Sequence, residues 1–370
     1  MMPPSMSEKK VGPVNLVDPE DGIHLGVVRL KGGFVEEIDL VGEEDPSLPY
    51  LLPGFVDPHI HGAVGVDFMS ATEKDLERFE CFLRSRGVTG CLLTTVSAPV
   101  ENILKAADTL QSYVHSHPNS VFKGVHVEGP HINPKRRGAH KLEHVQRLHD
   151  EEFQNVFSHP MVKLMTLAPE LEGFGQAVEL AKRYDVILSI GHTEAPFSVI
   201  TKAVEVGVKR FTHLCNGMPL IHHREVGPVG AAILLENVVA EIIVDGVHLS
   251  QEMVRLIHKL MGSRLELVTD AMEAAGLEDG RYKLGRIEVV VNAGIAHLSD
   301  DTLAGSTLTM DRAVLLFHKY TGANHSEIVK VSSHNAAFEL GCKELGRLRE
   351  GAPTPVVEIG SQFEYLKVHT

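Results

Sequence analysis

The chain has 370 residues, with 35 Lys and Arg against 49 Asp and Glu, a formal net charge of −14. Such a field repels nucleic acid, and no run of about 18 apolar residues is present to span a membrane, so neither partner is expected. The length exceeds one average domain but suits a barrel of about 250 residues with a smaller unit attached. Four cysteines, Cys81, Cys91, Cys215 and Cys342, stand far apart without a CxxC pair. Together with an N-terminus that lacks a basic start followed by an apolar stretch, this argues against a disulfide framework and suggests a cytoplasmic protein. Histidine is the outlier at 22 residues, so a metal would be held by imidazole and carboxylate rather than by thiolate.

In chain order, residues 1–52 alternate polar and apolar positions between turn signals, as an N-terminal part of a small β-sandwich would. Eight apolar, β-branched runs follow: LLPGFVDPH, CLLTTVS, FKGVHVEGP, VKLMTLAPE, VILSIGHTE, RFTHLCN, AEIIVDGVH and LELVTDAM. Helical periodicity lies between and after them. In TEKDLERFECFLRSRG, for example, Leu76, Phe79 and Leu83 recur three and four residues apart before a Gly stop. The runs DEEFQNVF and GAAILLE carry the weakest helical pattern. Eight strand-then-helix units over residues 53–343 predict a (β/α)8 barrel of the TIM type, its continuously apolar strands forming a parallel sheet covered on both faces. An open doubly wound sheet is the runner-up, weakened by the lack of a GxGxxG turn after the first strand. Residues 344–370 again read as strand and are expected to complete the sandwich.

Chemistry in such a barrel sits at the C-terminal ends of the strands. The first strand ends on His59 and His61, two residues apart and so on one side of an extended chain. The third ends on Glu128, the fifth on His192, the sixth on His213 and the eighth on Asp270, while the seventh adds Asp245 and His248. One histidine at a strand end is commonly structural; histidines together with Glu128 and Asp270, converging from the first, third, fifth, sixth and eighth strands, point to a divalent metal held by these residues, which lowers the pKa of bound water to about 7. Asp270 is placed to accept a proton from that water and pass it to a leaving group. The residues taken alone indicate metal-assisted hydrolysis and leave the substrate open.

The order PGFVDPHIHG, VHVEGPHINPKRRGAH, TLAPE, SIGHTEA, THLCNGMPLIHHREVGPVG, IIVDGVHLS, VTDAM and LAGSTLTM resembles the amidohydrolase superfamily and, within it, the N-acetylglucosamine-6-phosphate deacetylases. The resemblance covers roughly residues 51–340 and implies a barrel with a small sandwich built from both chain ends. It implies that Glu128, His192 and His213 hold the main metal, with Asp270 as catalytic acid/base. His140 would hydrogen-bond the acetyl carbonyl. Ala139, Asn216, Gly217, Leu303, Ala304 and Gly305 would contact the sugar. Arg224 and His248 would bind the 6-phosphate, with Arg224 reaching across a homodimer interface. His59 and His61 would add a second metal, Glu128 bridging the two. One or two divalent ions are implied, zinc first, with iron, manganese or cobalt as options. His131 departs from the apolar residue expected after EGP, and the KRR run at 135–137 reads as a solvated loop rather than a phosphate contact.

Two other readings compete. An amidohydrolase acting on a different N-acyl or cyclic amide would commonly bridge its metals with a lysine at the end of the fourth strand, whereas Lys163 lies near the start of that run. A metal-free scaffold relative would be expected to have lost part of its ligand set, and here the set is complete.

Overall fold

The computed structural model describes residues 8–147 and 149–370. Its central sheet has eight strands: β1 (Phe55–Ile60), β2 (Val88–Thr95), β3 (Phe122–Glu128), β4 (Val162–Leu167), β5 (Ile187–Ile190), β6 (Arg210–Phe211), β7 (Val239–Ile243) and β8 (Leu265–Val268). They lie side by side in chain order, and each sequential pair is parallel. Just beyond β8 the sheet closes on itself through a parallel bridge between Ile60 and Ala271. The Asp270 amide donates to the His59 carbonyl at 2.8 Å, and the His61 amide to the Ala271 carbonyl at 2.8 Å. Inside the seam the Thr269 hydroxyl donates to the buried Asp57 carboxylate at 2.6 Å. This is the (β/α)8 barrel that the alternation of elements called for.

Eight helices follow the strands: α1 (Glu73–Ser85), α2 (Val100–Ser116), α3 (Asp150–Ser158), α4 (Phe174–Tyr184), α5 (Phe197–Glu205), α6 (Gly227–Leu234), α7 (Gln251–Met261) and α8 (Met310–Thr321). Their apolar stripes face the sheet. In α1 the buried side chains include Leu76, Phe79 and Leu83, and Thr72 caps the helix by a reciprocal box with Asp75. The strands are apolar on both sides because one side faces the barrel interior and the other the helices; β2 is buried throughout.

Both chain ends join one six-stranded sheet in the order Leu366–His369, Val356–Ile359, Tyr50–Leu52, Lys9–Asp18, Gly22–Lys31 and Phe34–Glu43. Its own apolar cluster includes Val14, Leu16, Val28, Leu51 and Val356. A stack of four rings fixes this unit to the barrel. Tyr50 lies 3.6 Å from His325, His325 lies 4.3 Å from Phe363, and Phe363 lies 3.6 Å from His318 at the end of α8.

One element falls outside the strand–helix rhythm. Between β8 and α8 a three-stranded antiparallel sheet is formed by Gly280–Leu284, Ile287–Asn292 and Ile295–His297. Its tip leans over the C-terminal mouth of the barrel, where Leu284 and Ile287 form part of a cavity wall.

Candidate metal centre

At that mouth the strand ends, together with the long loop after β3 that carries His140, bring five imidazoles around one carboxylate. From Glu128, His213 Nε2 is 3.0 Å away, His192 Nε2 3.1 Å, His140 Nε2 3.3 Å, His61 Nε2 3.5 Å and His59 Nε2 3.7 Å. Asp270 Oδ1 lies 3.0 Å from His61 Nε2 and 3.5 Å from His59 Nε2. All seven residues are buried. His192, His213 and Asp270 take left-handed backbone conformations, with φ of 46°, 30° and 48°. Such φ values are unusual for residues with a Cβ and cluster where the surrounding structure over-determines a working geometry.

The hydrogen-bond pattern fixes which ring nitrogens are available. His192 Nδ1–H donates to the Arg136 carbonyl at 2.7 Å and His61 Nδ1–H to the Thr94 carbonyl at 3.1 Å. His59 Nδ1–H donates to Glu241 Oε2 at 2.9 Å. In their neutral forms all three present Nε2 lone pairs inward, toward carboxylate oxygens that are also acceptors. His59 Nε2 is buried with no hydrogen-bond partner. Lone pairs facing lone pairs need a cation between them, and two clusters suit one: His59, His61 and Asp270, and Glu128 with His192 and its neighbour His140. His140 differs, because the Ser97 amide donates to its Nδ1 at 3.0 Å. Its Nε2 therefore carries the hydrogen, which makes His140 a donor into the cavity rather than a metal ligand.

The electrostatics agree. Burial pushes the Glu128 carboxyl up, but the surrounding histidines hold it well below the ordinary range. Asp270 is likewise destabilised by burial and brought down to about 2 by His59 and His61. Burial pushes the His59 imidazole down, yet Asp270, Glu128 and Glu241 together raise it well above its usual value. A negatively charged cage of this kind favours positive charge at its centre.

Behind the cage lies a buried support that the strand-end rule did not reveal. The Arg210 guanidinium, on β6, donates from Nε and Nη2 to Glu241 Oε1 at 3.1 and 2.9 Å. It also pairs with Glu266 and Glu339, each at 2.5 Å. Glu241 Oε2 in turn holds the His59 ring and accepts from the His213 amide at 3.2 Å. Arg210 and Glu241 sit within strands, where sequence alone offers no sign that they meet.

The cavity over the cage is about 260 Å3 and is lined by Glu128, Ala139, His140, Asn216, Gly217, His248, Leu303 and Gly305, among others. Gly217 has φ 59°, and a Cβ there would come 2.9 Å from His192 Nδ1, so both the turn and the close approach need glycine. His248 Nδ1 pairs with Asp245 Oδ2 at 2.7 Å, which turns its other nitrogen free of that contact. Ala304 is buried and tied by its amide to the Ala296 carbonyl at 3.1 Å, one step behind the wall. Arg224 lies outside the cavity, on an exposed turn, with its guanidinium 2.7 Å from His223 Nε2. The KRR run serves the loop. Lys135 and Arg136 pair with Glu194, and Arg137 donates to the His140 carbonyl at 2.8 Å. His131 is fully buried with its ring edge-on to Phe153 at 4.9 Å, away from the cavity.

Fold and site together define a metal-dependent hydrolase of the barrel type, and the chain belongs to the amidohydrolase family, whose profile matches residues 50–357. It is 34% identical to the N-acetylglucosamine-6-phosphate deacetylase of Vibrio furnissii, over 86% of this chain and 80% of that one. It is also 34% identical to the N-acetylgalactosamine-6-phosphate deacetylase of Escherichia coli O157:H7, over 90% of each. The crystal structure of N-acetylglucosamine-6-phosphate deacetylase from Thermotoga maritima superimposes with a TM-score of 0.88 at 41% identity, covering 96% of both chains.

Proposed function

We propose that the chain hydrolyses the acetamido group of N-acetylglucosamine 6-phosphate, giving acetate and glucosamine 6-phosphate. The single observation that carries the reading is the Glu128 carboxylate encircled by inward-facing imidazole nitrogens with Asp270 at its edge. The named relatives supply the substrate. Glu128, His192 and His213 would hold one divalent ion, and His59 and His61, with Glu128 shared, a second. Zinc is the ion we favour over iron, manganese or cobalt. An ion held there acidifies water and polarises a carbonyl.

The protein's own groups do the rest. His140 Nε2–H is aimed into the cavity, where it donates to the acyl oxygen as charge builds on it. Asp270 Oδ1 takes the proton from the attacking water. As the carbon–nitrogen bond breaks, the same oxygen returns that proton to the sugar nitrogen, so the amine leaves neutral. Asn216, Gly217 and the Leu303–Gly305 segment position the sugar, and His248 takes the phosphate. Arg224 is exposed beside Leu220 and Ile221, themselves 80% and 52% exposed. That apolar edge suits a homodimer in which Arg224 of one copy completes the phosphate site of the other. No helix among the described residues is long and apolar enough to cross a membrane, and we place the enzyme in the cytoplasm.

The decisive measurement is acetate release from N-acetylglucosamine 6-phosphate, its unphosphorylated form and its C4 epimer, alongside elemental analysis. Preference for the phosphorylated gluco sugar by a metal-loaded protein is expected. Indifference to the phosphate points to another amidohydrolase substrate, preference for the galacto epimer shifts the sugar assignment, and a metal-free protein without turnover would make it a scaffold.

A further inference from the structure

A second cavity, of about 280 Å3, lies beside the catalytic mouth. It is bounded by the loop after β2, the first turns of α2, the loop around Lys141 and the tip of the three-stranded sheet. Lys105, Lys141, His144 and Arg286 line it, and no carboxylate does, although the chain as a whole carries −14. Lys105 and Arg286 have no ion-pair partner among the described residues, and Lys141 reaches only Glu143, at 4.0 Å. Pro99 leaves the N-terminus of α2 without a side-chain cap, which adds the positive end of a 17-residue helix to the same wall. The rest of the lining is mixed, with the apolar Met69, Ala98 and Ala106 beside the neutral polar Ser70, Asn102 and Thr109. Cationic groups around a partly apolar floor complement a small organic anion.

The partition between the two cavities gives the anion an identity. Val96 and Ile287 line both. Ser97 lines the second cavity, and its amide and hydroxyl hold His140 Nδ1 at 3.0 and 2.8 Å. The opposite ring nitrogen of His140 faces the catalytic cavity. An acyl group bound at that nitrogen therefore lies against the partition, with the sugar phosphate filling the mouth above it. Gly285 packs on the same wall so closely that a Cβ there would stand 2.6 Å from Val96 Cγ2.

We propose that the second cavity is an exit chamber for the carboxylate released by hydrolysis. The inference rests on the deacetylation reading, in which the acyl carbon leaves as a carboxylate once its bond to nitrogen is broken. The carboxylate passes Val96 and Ile287 and is held by Lys105 and Arg286 while the amino sugar still occupies the mouth.

Binding of 13C-acetate to the metal-loaded protein, followed by NMR with and without saturating glucosamine 6-phosphate, tests this. Acetate is expected to bind in the presence of the sugar phosphate and to inhibit turnover noncompetitively against the substrate. Its affinity should fall at least about tenfold in a Lys105→Ala/Arg286→Ala double variant, which removes two charge-assisted contacts. The single-turnover rate of acetate formation should stay unchanged in that variant. Displacement of acetate by glucosamine 6-phosphate, or an unaltered affinity in the variant, overturns the exit chamber. A wild-type protein that forms no acetate at all overturns instead the deacetylation on which the chamber depends.

Discussion

In the proposed mechanism Asp270 acts as an ionised side chain, since His59 and His61 keep its carboxyl at about 2 against the pull of burial. Asp270→Asn keeps the shape and removes the base. Turnover is expected to fall about 10²- to 10⁴-fold with the melting temperature and metal content largely retained; steady-state kinetics with elemental analysis checks it, and near-normal turnover would exclude the proton shuttle. Glu241 acts one layer further back. Glu241→Ala leaves the His59 Nδ1–H unpaired in a buried site and frees Arg210 of a partner. Affinity for the ion at His59 and His61 is expected to drop about 10- to 100-fold, read by chelator competition; unchanged affinity would mean that Glu241 serves only the fold. The contrast between these two carboxylates shows what was legible. Asp270, like Glu128, follows directly from reading strand ends, because a parallel barrel sends every such end to one mouth. Glu241 and Arg210 lie inside β7 and β6, and their pairing is set by strand register, which no local pattern encodes. The left-handed backbone at His192 and His213 is equally invisible in sequence, because these are not residue types that require it.

The loop after β6 shows how an element aims a side chain. Gly217 turns the chain under His192 where no Cβ fits. Gly217→Ala is expected to displace the imidazole and lower kcat/KM by more than about tenfold, with a stability loss of only about 1–3 kcal/mol from the strained φ. Kinetics set beside thermal melts would reveal it, and equal activity would show that the loop yields instead. Most of the helices were readable because they carry an apolar stripe with recognisable ends, as in α1 from Thr72 to Ser85, whereas α6 is buried all round over Gly227–Ala232 and shows only a weak pattern. The three-stranded sheet over Gly280–His297 was not. Its strands are short, half-exposed and separated by tight turns, so their alternation resembles the loops around them. Yet it supplies Leu284 and Ile287 to the cavity wall, and part of the substrate's surroundings was hidden with it.

For the whole molecule, the joint between sheet and barrel carries its own pH dependence. Burial lowers the His325 imidazole to about 4, between the rings of Tyr50 and Phe363. Protonation is thus easier in the unfolded chain, where the group titrates near 6.5. The associated stability is fully present above about 6.5 and is lost as the pH falls toward 4, by at most about 3 kcal/mol and less where water screens the ring. His325→Phe keeps a ring in the stack and should flatten that acid limb in denaturant titrations at several pH values; an unchanged slope would place the sensitivity elsewhere. That the two chain ends form one β-rich unit was readable from their shared alternation, whereas the ring stack, drawn from four distant positions, was not. The strand Tyr50–Leu52, which leads into β1, is flanked in the six-stranded sheet by Lys9–Asp18 on one side and Val356–Ile359 on the other. The histidine pair at the end of β1 therefore hangs from a clasp whose two sides come from opposite ends of the barrel's sequence, one before β1 and one after β8. A chain can have every strand of its barrel in place and still lack the strand that fastens the segment carrying His59 and His61, since Val356–Ile359 follows all eight barrel strands in the sequence.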